Sequence, residues 1–210
     1  MKNNFLIYLL ITVAIIAFWD SIFFYPIKIF VVYLHESSHA LATILTGGQV
    51  RSISISPDES GYCESMGGIK WIIIPAGYIG SMIFGCLIFI FSMKNVKVIS
   101  YFLSICMLIL TILFVKNTFG FIIGISFPII LFITYKINIE INKYFVQIIG
   151  LICIIYSIID IKDDLIMNTI SGSDACAMSQ YIPLPPFIWG LIWMIISGVI
   201  AYKTIKYTFK

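Results

Sequence analysis

The sequence has 210 residues, of which 60% are hydrophobic and only 11% are charged, and its mean hydropathy is +1.05. Because about a quarter of the residues in an ordinary globular domain are charged, this composition excludes a soluble domain and predicts a single integral, multi-pass membrane domain over residues 1–210. The formal net charge of +3 is small and its lysines are scattered, which argues against nucleic-acid binding and favours helix-end anchors in a lipid bilayer.

Two apolar runs at the start of the chain predict two helices. The first covers residues 5–19 and ends at Asp20, without the small-residue cleavage site of a signal peptide. The second begins near Pro26, since proline is tolerated in a first turn, and ends before Gly47. Its second half carries the polar residues 35–39, which at membrane depth must face a protein interior or a wet cavity.

The next segment loses the helical pattern. Polar and apolar residues alternate over 52–56, which predicts a strand, and a second short strand around 62–66 would complete a hairpin insert at about 49–70. Further helices are predicted by the apolar runs 71–93, 98–115, 119–135, 144–159 and 187–207, the last after a polar connection at about 160–186. The predicted fold class is an all-α polytopic membrane protein with about six to seven transmembrane helices and a small β-hairpin.

Both histidines of the chain fall in one motif, His35-Glu36-Ser37-Ser38-His39, which matches His-Glu-x-x-His. On a helix, residues four apart share a face, so both imidazoles can reach one metal ion. The glutamate after the first histidine is then placed to take a proton from metal-activated water. The competing interpretation, two structural histidines at a helix end, gives no reason for this clustering. The motif predicts one Zn²⁺ bound by His35 and His39, with Glu36 as the catalytic base.

Catalytic zinc takes three protein ligands, and with no third histidine the remaining ligand should be a carboxylate, with a cysteine as the less favoured alternative. Asp160 is the preferred candidate because it ends an apolar run, where an ionised carboxylate needs a cationic partner. Asp164, one helical turn later on the same face, is the alternative. Asp20 is a weaker candidate, since a helix-end carboxylate in the headgroup region explains it. The other acidic residues are Asp58, Glu59, Glu64, Glu140, Asp163 and Asp174.

Residues 35–48 resemble the active-site helix of site-2-protease-type zinc metalloproteases. Four further segments, in the same order along the chain, resemble a compact subgroup of these proteins: 75–81, 156–164, 173–175 and 189–193. The resemblance implies that His35 and His39 bind zinc, that Glu36 is the catalytic base, and that a downstream aspartate completes the site. The best-known members carry this aspartate in a Leu-Asp-Gly context, which the chain lacks; Asp160 is the nearest substitute.

Two local features give further expectations. Gly77, Ser81 and Gly85 recur every four residues, a small-residue face that lets another helix approach closely, and the motif helix is its expected partner. Cys63 and Cys176 lie in polar connections and would bridge only if the fold joined them; free thiols are the expectation.

The hypothesis for function is zinc-dependent hydrolysis of a peptide bond in another membrane protein or transmembrane peptide. The strand at 52–56 is a candidate site for pairing with an extended substrate, and the equally favoured alternative is a connecting hairpin with no substrate role. The alternative is a non-proteolytic zinc-binding scaffold or regulatory protein, which would not need Glu36. A transporter would carry ionisable residues in several spans, and the other apolar runs lack them.

Overall fold

The computed structural model describes residues 2–166 and 173–210, with side chains described for 5–163 and 173–210. Its elements are α1 (Lys2–Ala17), α2 (Tyr25–Leu45), β1 (Gln49–Ile55), β2 (Gly61–Met66), α3 (Lys70–Phe114), α4 (Thr118–Ile137), α5 (Ile139–Ile166), α6 (Asp174–Tyr181) and α7 (Pro186–Thr208). The predicted fold class, a helical membrane protein with a small hairpin after the motif helix, is confirmed.

Four of these helices are long and apolar enough to cross a hydrocarbon layer of about 30 Å: α3, α4, α5 and α7. A shorter apolar helix, Phe5–Ala17, lies within α1. The chain is therefore an integral, multi-pass membrane protein, as predicted. The motif helix α2 is not one of the four, and its neighbours in the bundle bury it instead.

The runs predicted as separate helices at 71–93 and 98–115 form the single element α3, which is kinked. The backbone of Asn95 leaves the helical region, with φ −154° and ψ 87°. Its side-chain oxygen accepts a hydrogen bond from the backbone N–H of Val98 at 3.2 Å, which caps the second half of α3. The predicted break is present, but as one non-helical residue rather than a loop.

The hairpin forms where the alternation predicts it, with Ile53 of β1 opposite Cys63 of β2. The outer edge of β1 is also occupied. The Lys116 N–H donates to the Ile53 carbonyl at 3.1 Å, and the Asn117 side chain both donates to Ile55 O (2.6 Å) and accepts from Ile55 N (3.1 Å). β1 thus lies between β2 and the α3–α4 connection, and β2 is the outer strand of the sheet.

The first half of α2 is the centre of the core. The six residues from Ile29 to Leu34 are all buried, so apolar side chains face every direction and the helix must be surrounded by protein. Phe30 stacks on Phe127 of α4, with ring centroids 4.6 Å apart. The Tyr33 hydroxyl donates to Met107 O in the second half of α3 at 3.0 Å, which satisfies its polar end.

The small-residue face of α3 has two partners rather than the single one predicted. Gly77 contacts the motif helix α2, as expected, because a Cβ there would overlap the His35 and His39 rings. Ser81 and Gly85 face α5 instead: the Ser81 hydroxyl lies 3.0 Å from that of Ser157, and a Cβ at Gly85 would meet Cys153 at 2.7 Å. Close approach by small residues thus packs α3 against α2 at one level and against α5 at the next.

Candidate metal centre

The two histidines of the motif lie on one face of α2, as the i, i+4 spacing predicts. The His35 and His39 ring centroids are 4.8 Å apart, in an edge-to-face arrangement. The helix begins at Tyr25 with Pro26 in its first turn and ends at Leu45, followed by Gly47 at φ +79°. These ends agree with the start and stop signals in the sequence.

The carboxylate of Asp174 contacts both rings. Its Oδ2 atom lies 3.1 Å from His35 Nε2 and 3.1 Å from His39 Nε2. One ligand atom from each of the three residues lies within 4.8 Å of the other two. His35, His39 and Asp174 therefore form a group that could hold one metal ion.

Asp174 is the first residue of α6, and Ser173 is the N-cap residue that precedes it. The Ser173 hydroxyl accepts a hydrogen bond from the backbone N–H of Cys176 at 3.3 Å, a typical N-cap. On the same short helix, Ala175 and Met178 are buried in an apolar cluster with Trp193 of α7. This packing fixes α6 against the bundle and holds the Asp174 carboxylate toward α2.

The other ring nitrogen of each histidine also has a partner. His39 Nδ1 lies 2.7 Å from the backbone carbonyl oxygen of Ile73, so Nδ1 carries the proton and donates, which leaves the Nε2 lone pair toward Asp174. His35 Nδ1 lies 3.6 Å from Asp160 Oδ2. Metal-binding histidines are usually oriented in this way, by a carbonyl or carboxylate on the nitrogen that does not bind the metal.

The predicted third ligand, Asp160, is therefore close to the site but not within the group of three. Its carboxylate faces the Nδ1 side of His35, whereas Asp174 contacts both Nε2 atoms. Asp164, the alternative, has its side chain outside the described part of the structure. Asp20 lies in the α1–α2 connection and is not in the group of potential ligands that the described residues form. Two signals for Asp174 are present in the sequence: the pair Ser173-Asp174, typical of a helix start, and the position of Asp174 in segment 173–175, one of those that resemble the metalloprotease subgroup.

Glu36 lines the same cavity as the two histidines, and only 6% of its surface is exposed. The cavity has a volume of about 360 Å³ and is enclosed by α2, β2 and the turn before it, α3, α5 and α6. Strand β2 approaches Glu36 closely: a Cβ added at Gly61 would lie 2.5 Å from Glu36 Oε1. A glycine at position 61 thus gives the carboxylate the room that it occupies.

Gly77 has the same role for the metal group. A Cβ there would overlap the Nε2 atoms of both histidines. The face of α3 that follows contributes Tyr78, whose ring packs edge-to-face on His35 with centroids 4.9 Å apart. The absence of a side chain at Gly77 leaves space for both rings, and the Tyr78 ring packs against His35. These contacts limit the directions in which the Nε2 atoms can point.

Cys63 of β2 also lines this cavity and carries a free thiol, so the Cys63–Cys176 bridge is not formed, as expected. Burial raises the pKa of the Cys63 thiol to about 12, and the charge of the nearby Glu36 adds to the increase. The thiol is therefore protonated at neutral pH, and Cys63 is not in the group of potential metal ligands that the described residues form.

The donor set fits zinc, and so do the distances from the Asp174 carboxylate to the two imidazoles. Two imidazoles and one carboxylate, with a fourth position left for water, are a known catalytic zinc set. Ligand atoms about 2.0 Å from a tetrahedral zinc ion lie about 3.3 Å apart, close to the 3.1 Å that separates each Nε2 atom from Asp174 Oδ2. Burial by itself raises the pKa of Asp174, but the two imidazoles outweigh this effect and hold the pKa below its usual range. The carboxylate is thus ionised and able to bind a cation.

A family model, Peptidase M50B-like, matches residues 8–204, nearly the whole chain. No curated protein and no solved structure is significantly similar to this chain. The family is one of membrane metallopeptidases, which agrees with the apolar helices and with the histidine–aspartate group described above. The chain belongs to the Peptidase M50B-like family.

Proposed function

We propose that this protein is a zinc-dependent intramembrane endopeptidase that hydrolyses peptide bonds in membrane-protein substrates. The observation that carries the proposal is the convergence of His35, His39 and Asp174 beside the buried carboxylate of Glu36, in one cavity. Membership of a metallopeptidase family supports it. Zinc bound there would lower the pKa of water toward ~7 and polarise the scissile carbonyl.

Metal binding, orientation of the rings and proton transfer are assigned to different residues of the chain. His35, His39 and Asp174 would hold the ion, while the hydrogen bond of His39 to Ile73 O and the carboxylate of Asp160, 3.6 Å from His35 Nδ1, orient the two rings. Glu36 accepts the proton of the attacking water and then delivers it to the leaving amine, so one carboxylate acts as base and as acid. Asp160 thereby has an orienting role in this proposal rather than the ligand role predicted from the sequence.

A substrate helix must unwind before cleavage, because its carbonyls are bonded within the helix. The predicted receiver of the extended segment was the strand at 52–56. However, the α3–α4 connection occupies the outer edge of β1. Strand β2 lines the cavity and, among the described residues, pairs with β1 alone. We therefore assign substrate pairing to β2, which would bring the peptide alongside Glu36.

The proposal is tested by Glu36→Gln, with Glu140→Gln as the matched control. Glu140 is in the first turn of α5, 61% of its side chain is exposed, and it does not line the cavity. Zinc content is measured on the purified proteins, and cleavage is measured by mass spectrometry as new N-termini in transmembrane peptides reconstituted into vesicles. Glu36→Gln should keep its zinc and lose cleavage by at least a hundredfold, while Glu140→Gln should behave as the wild type.

The second candidate is a non-proteolytic zinc-binding scaffold or regulatory protein of the same fold. It shares the metal group but gives no reason for a buried carboxylate beside that group, which is why the peptidase is favoured. If Glu36→Gln left the cleavage products and the biological output unchanged while zinc stayed bound, the scaffold would replace the peptidase.

A further inference from the structure

A second cavity, of about 620 Å³, lies between α1, α3, α5 and α7. Along α3 it is lined by Ile90, Met93 and Lys94, whereas the metal centre contacts the same helix at Gly77. Seventeen residues of helix separate Gly77 from Lys94, a distance of about 25 Å. The cavity is therefore at the opposite end of the bundle from the metal centre and close to the other surface of the membrane.

The polar groups of this cavity are cationic or neutral. Lys94 and Lys143 line it, together with the side chains of Tyr8, Gln147 and Tyr207. No carboxylate is among the described residues that line it. Glu140, outside the lining, lies 3.7 Å from the Lys143 amino group, but 61% of its side chain is exposed, and such a pair neutralises little.

Lys94 is an exposed residue, but its amino group has defined contacts. Its amino group donates a hydrogen bond to the Tyr207 hydroxyl at 2.7 Å and lies 5.1 Å from the centre of that ring. Deeper in the cavity, the Tyr8 hydroxyl donates to Gln147 Oε1 at 2.6 Å, and Gln147 is only 2% exposed. A lysine that only anchors a helix end in the headgroup region needs no side-chain partner, whereas Lys94 has the Tyr207 ring and hydroxyl.

The rest of the lining is apolar, with Ile7 and Ile11 from α1 and Ile90 from α3. One part of the cavity is thus cationic and the other is hydrocarbon-like. The surroundings carry the same charge: the segments 94–97, 136–143 and 203–210 contain Lys94, Lys97, Lys136, Lys143, Lys203, Lys206 and Lys210 against Glu140 alone. A ligand that complements both parts has an anionic head and an apolar tail.

We propose that this cavity binds an anionic phospholipid. Its phosphate would lie between Lys94 and Lys143, and one acyl chain would pack on Ile7, Ile11 and Ile90. Basic pockets between transmembrane helices recognise lipid headgroups in this way. The bound lipid would connect α1 to α3, α5 and α7, and so would stabilise the end of the bundle that has no catalytic role.

The test uses the full-length protein in detergent, titrated with phosphatidylglycerol or with phosphatidylcholine of the same acyl chains, and counts bound lipid by native mass spectrometry. The variant is Lys94→Gln/Lys143→Gln. The control is Lys97→Gln/Lys203→Gln, which removes the same charge from exposed lysines that do not line the cavity. Circular dichroism and size-exclusion chromatography establish that each variant is folded.

Wild type and control should bind one phosphatidylglycerol in preference to phosphatidylcholine. The Lys94→Gln/Lys143→Gln variant should bind it roughly thirtyfold more weakly, about fivefold for each lysine. Phosphatidylglycerol should also raise the melting temperature of the wild type but not of the variant, because a ligand stabilises the state that binds it. If the first variant does not fold, Ile90→Trp, which fills the apolar part and keeps both lysines, should lose binding.

Three results would overturn the proposal. Equal loss in the cavity variant and in the control would show attraction by net charge rather than a site. Equal binding of phosphatidylcholine would show that the anionic head is not recognised. Displacement of the lipid by inorganic phosphate alone would assign the site to a free anion. None of these measurements depends on zinc or on cleavage, so they are independent of the proposed peptidase activity.

Discussion

The Nδ1 atom of His39 lies 2.7 Å from the carbonyl oxygen of Ile73, at the start of α3. This bond joins the motif helix to the helix that follows the hairpin, and it determines which nitrogen of His39 is free to bind a metal. On the other ring, His35 Nδ1 lies 3.6 Å from Asp160 Oδ2, which is an ion-pair distance rather than a hydrogen bond. The metal group is thus oriented by two elements other than the one that carries the histidines.

The first prediction distinguishes the third ligand from the orienting carboxylate. Asp174→Ala should abolish stoichiometric zinc binding, since its carboxylate contacts both Nε2 atoms. Asp160→Ala should keep one zinc per chain with an affinity roughly 10- to 100-fold lower, as expected for loss of an orienting partner. Zinc is quantified by mass spectrometry after dialysis against graded chelator. A stoichiometric loss in Asp160→Ala, with Asp174→Ala unaffected, would reverse the two roles.

The second prediction concerns the space for the imidazoles. Gly77→Ala should prevent zinc binding while the protein stays folded, because the added methyl group overlaps both Nε2 atoms. Gly198→Ala in α7 is the matched control, since a Cβ there meets nothing within 4 Å. Zinc content and the circular dichroism spectrum are compared for both variants. Full zinc binding by Gly77→Ala would mean that the rings point elsewhere.

A third prediction separates catalysis from metal binding. Gly61→Ala places a methyl group 2.5 Å from Glu36 Oε1 and must displace that carboxylate. Zinc binding should be unchanged, whereas kcat should fall about 10²- to 10⁴-fold, the usual contribution of a positioned general base. The assay is cleavage of a reconstituted transmembrane peptide at saturating concentration. An unchanged kcat would remove Glu36 from the proton transfer.

The fourth prediction is chemical. Because burial and Glu36 raise the pKa of Cys63 to about 12, less than about one thiol in a thousand is ionised at pH 8.5, and alkylation requires the thiolate. Iodoacetamide should therefore modify Cys63 far more slowly than a model thiol with a pKa of about 8.5. The rate should still be increasing with pH above pH 9, as followed by peptide mass spectrometry. A plateau below pH 9 would contradict the pKa.

The fifth prediction tests how the hairpin is held on α2. The Lys28 amino group is buried and lies 3.4 Å from Glu59 Oε2, while Tyr25 donates to Pro57 O at 2.6 Å. Glu59→Gln should destabilise the protein by about 1–2 kcal/mol, less than for a fully buried pair because Glu59 is partly exposed. Lys28→Met added to it should recover most of the loss. Denaturation in mild detergent measures both, and additive losses would show that the pair is not coupled.

The local features of the site were predictable from the sequence, and its long-range contacts were not. His35 and His39 follow from helical periodicity, and the hairpin from the alternation at 52–56. Asp174 comes 139 residues after His35, and only the packing of α6 on α3 and α7 brings it to the rings. Asp160 is the candidate favoured by the sequence because it ends an apolar run, a pattern that indicates a nearby cationic partner. The pattern does not indicate which nitrogen of the His35 ring the Asp160 carboxylate faces.

The same distinction applies to the strand edges. Alternation of polar and apolar residues indicates that 52–56 is extended, but it does not reveal that Lys116 and Asn117 return to bond with Ile53 and Ile55. Register along a strand is local, whereas the identity of its outer neighbour depends on where α3 ends. For this reason the strand predicted to pair with substrate, β1, is the inner strand, and the sequence does not reveal that β2 has the open edge.

Because the α3–α4 connection covers the outer edge of β1, the described part of the sheet leaves the edge of β2 for one additional strand. Under the proposed pairing of substrate with β2, two extended peptides would compete for that edge, so a saturating concentration of one should inhibit cleavage of the other. The covered edge of β1 is likewise unavailable for pairing with the hairpin of a second copy.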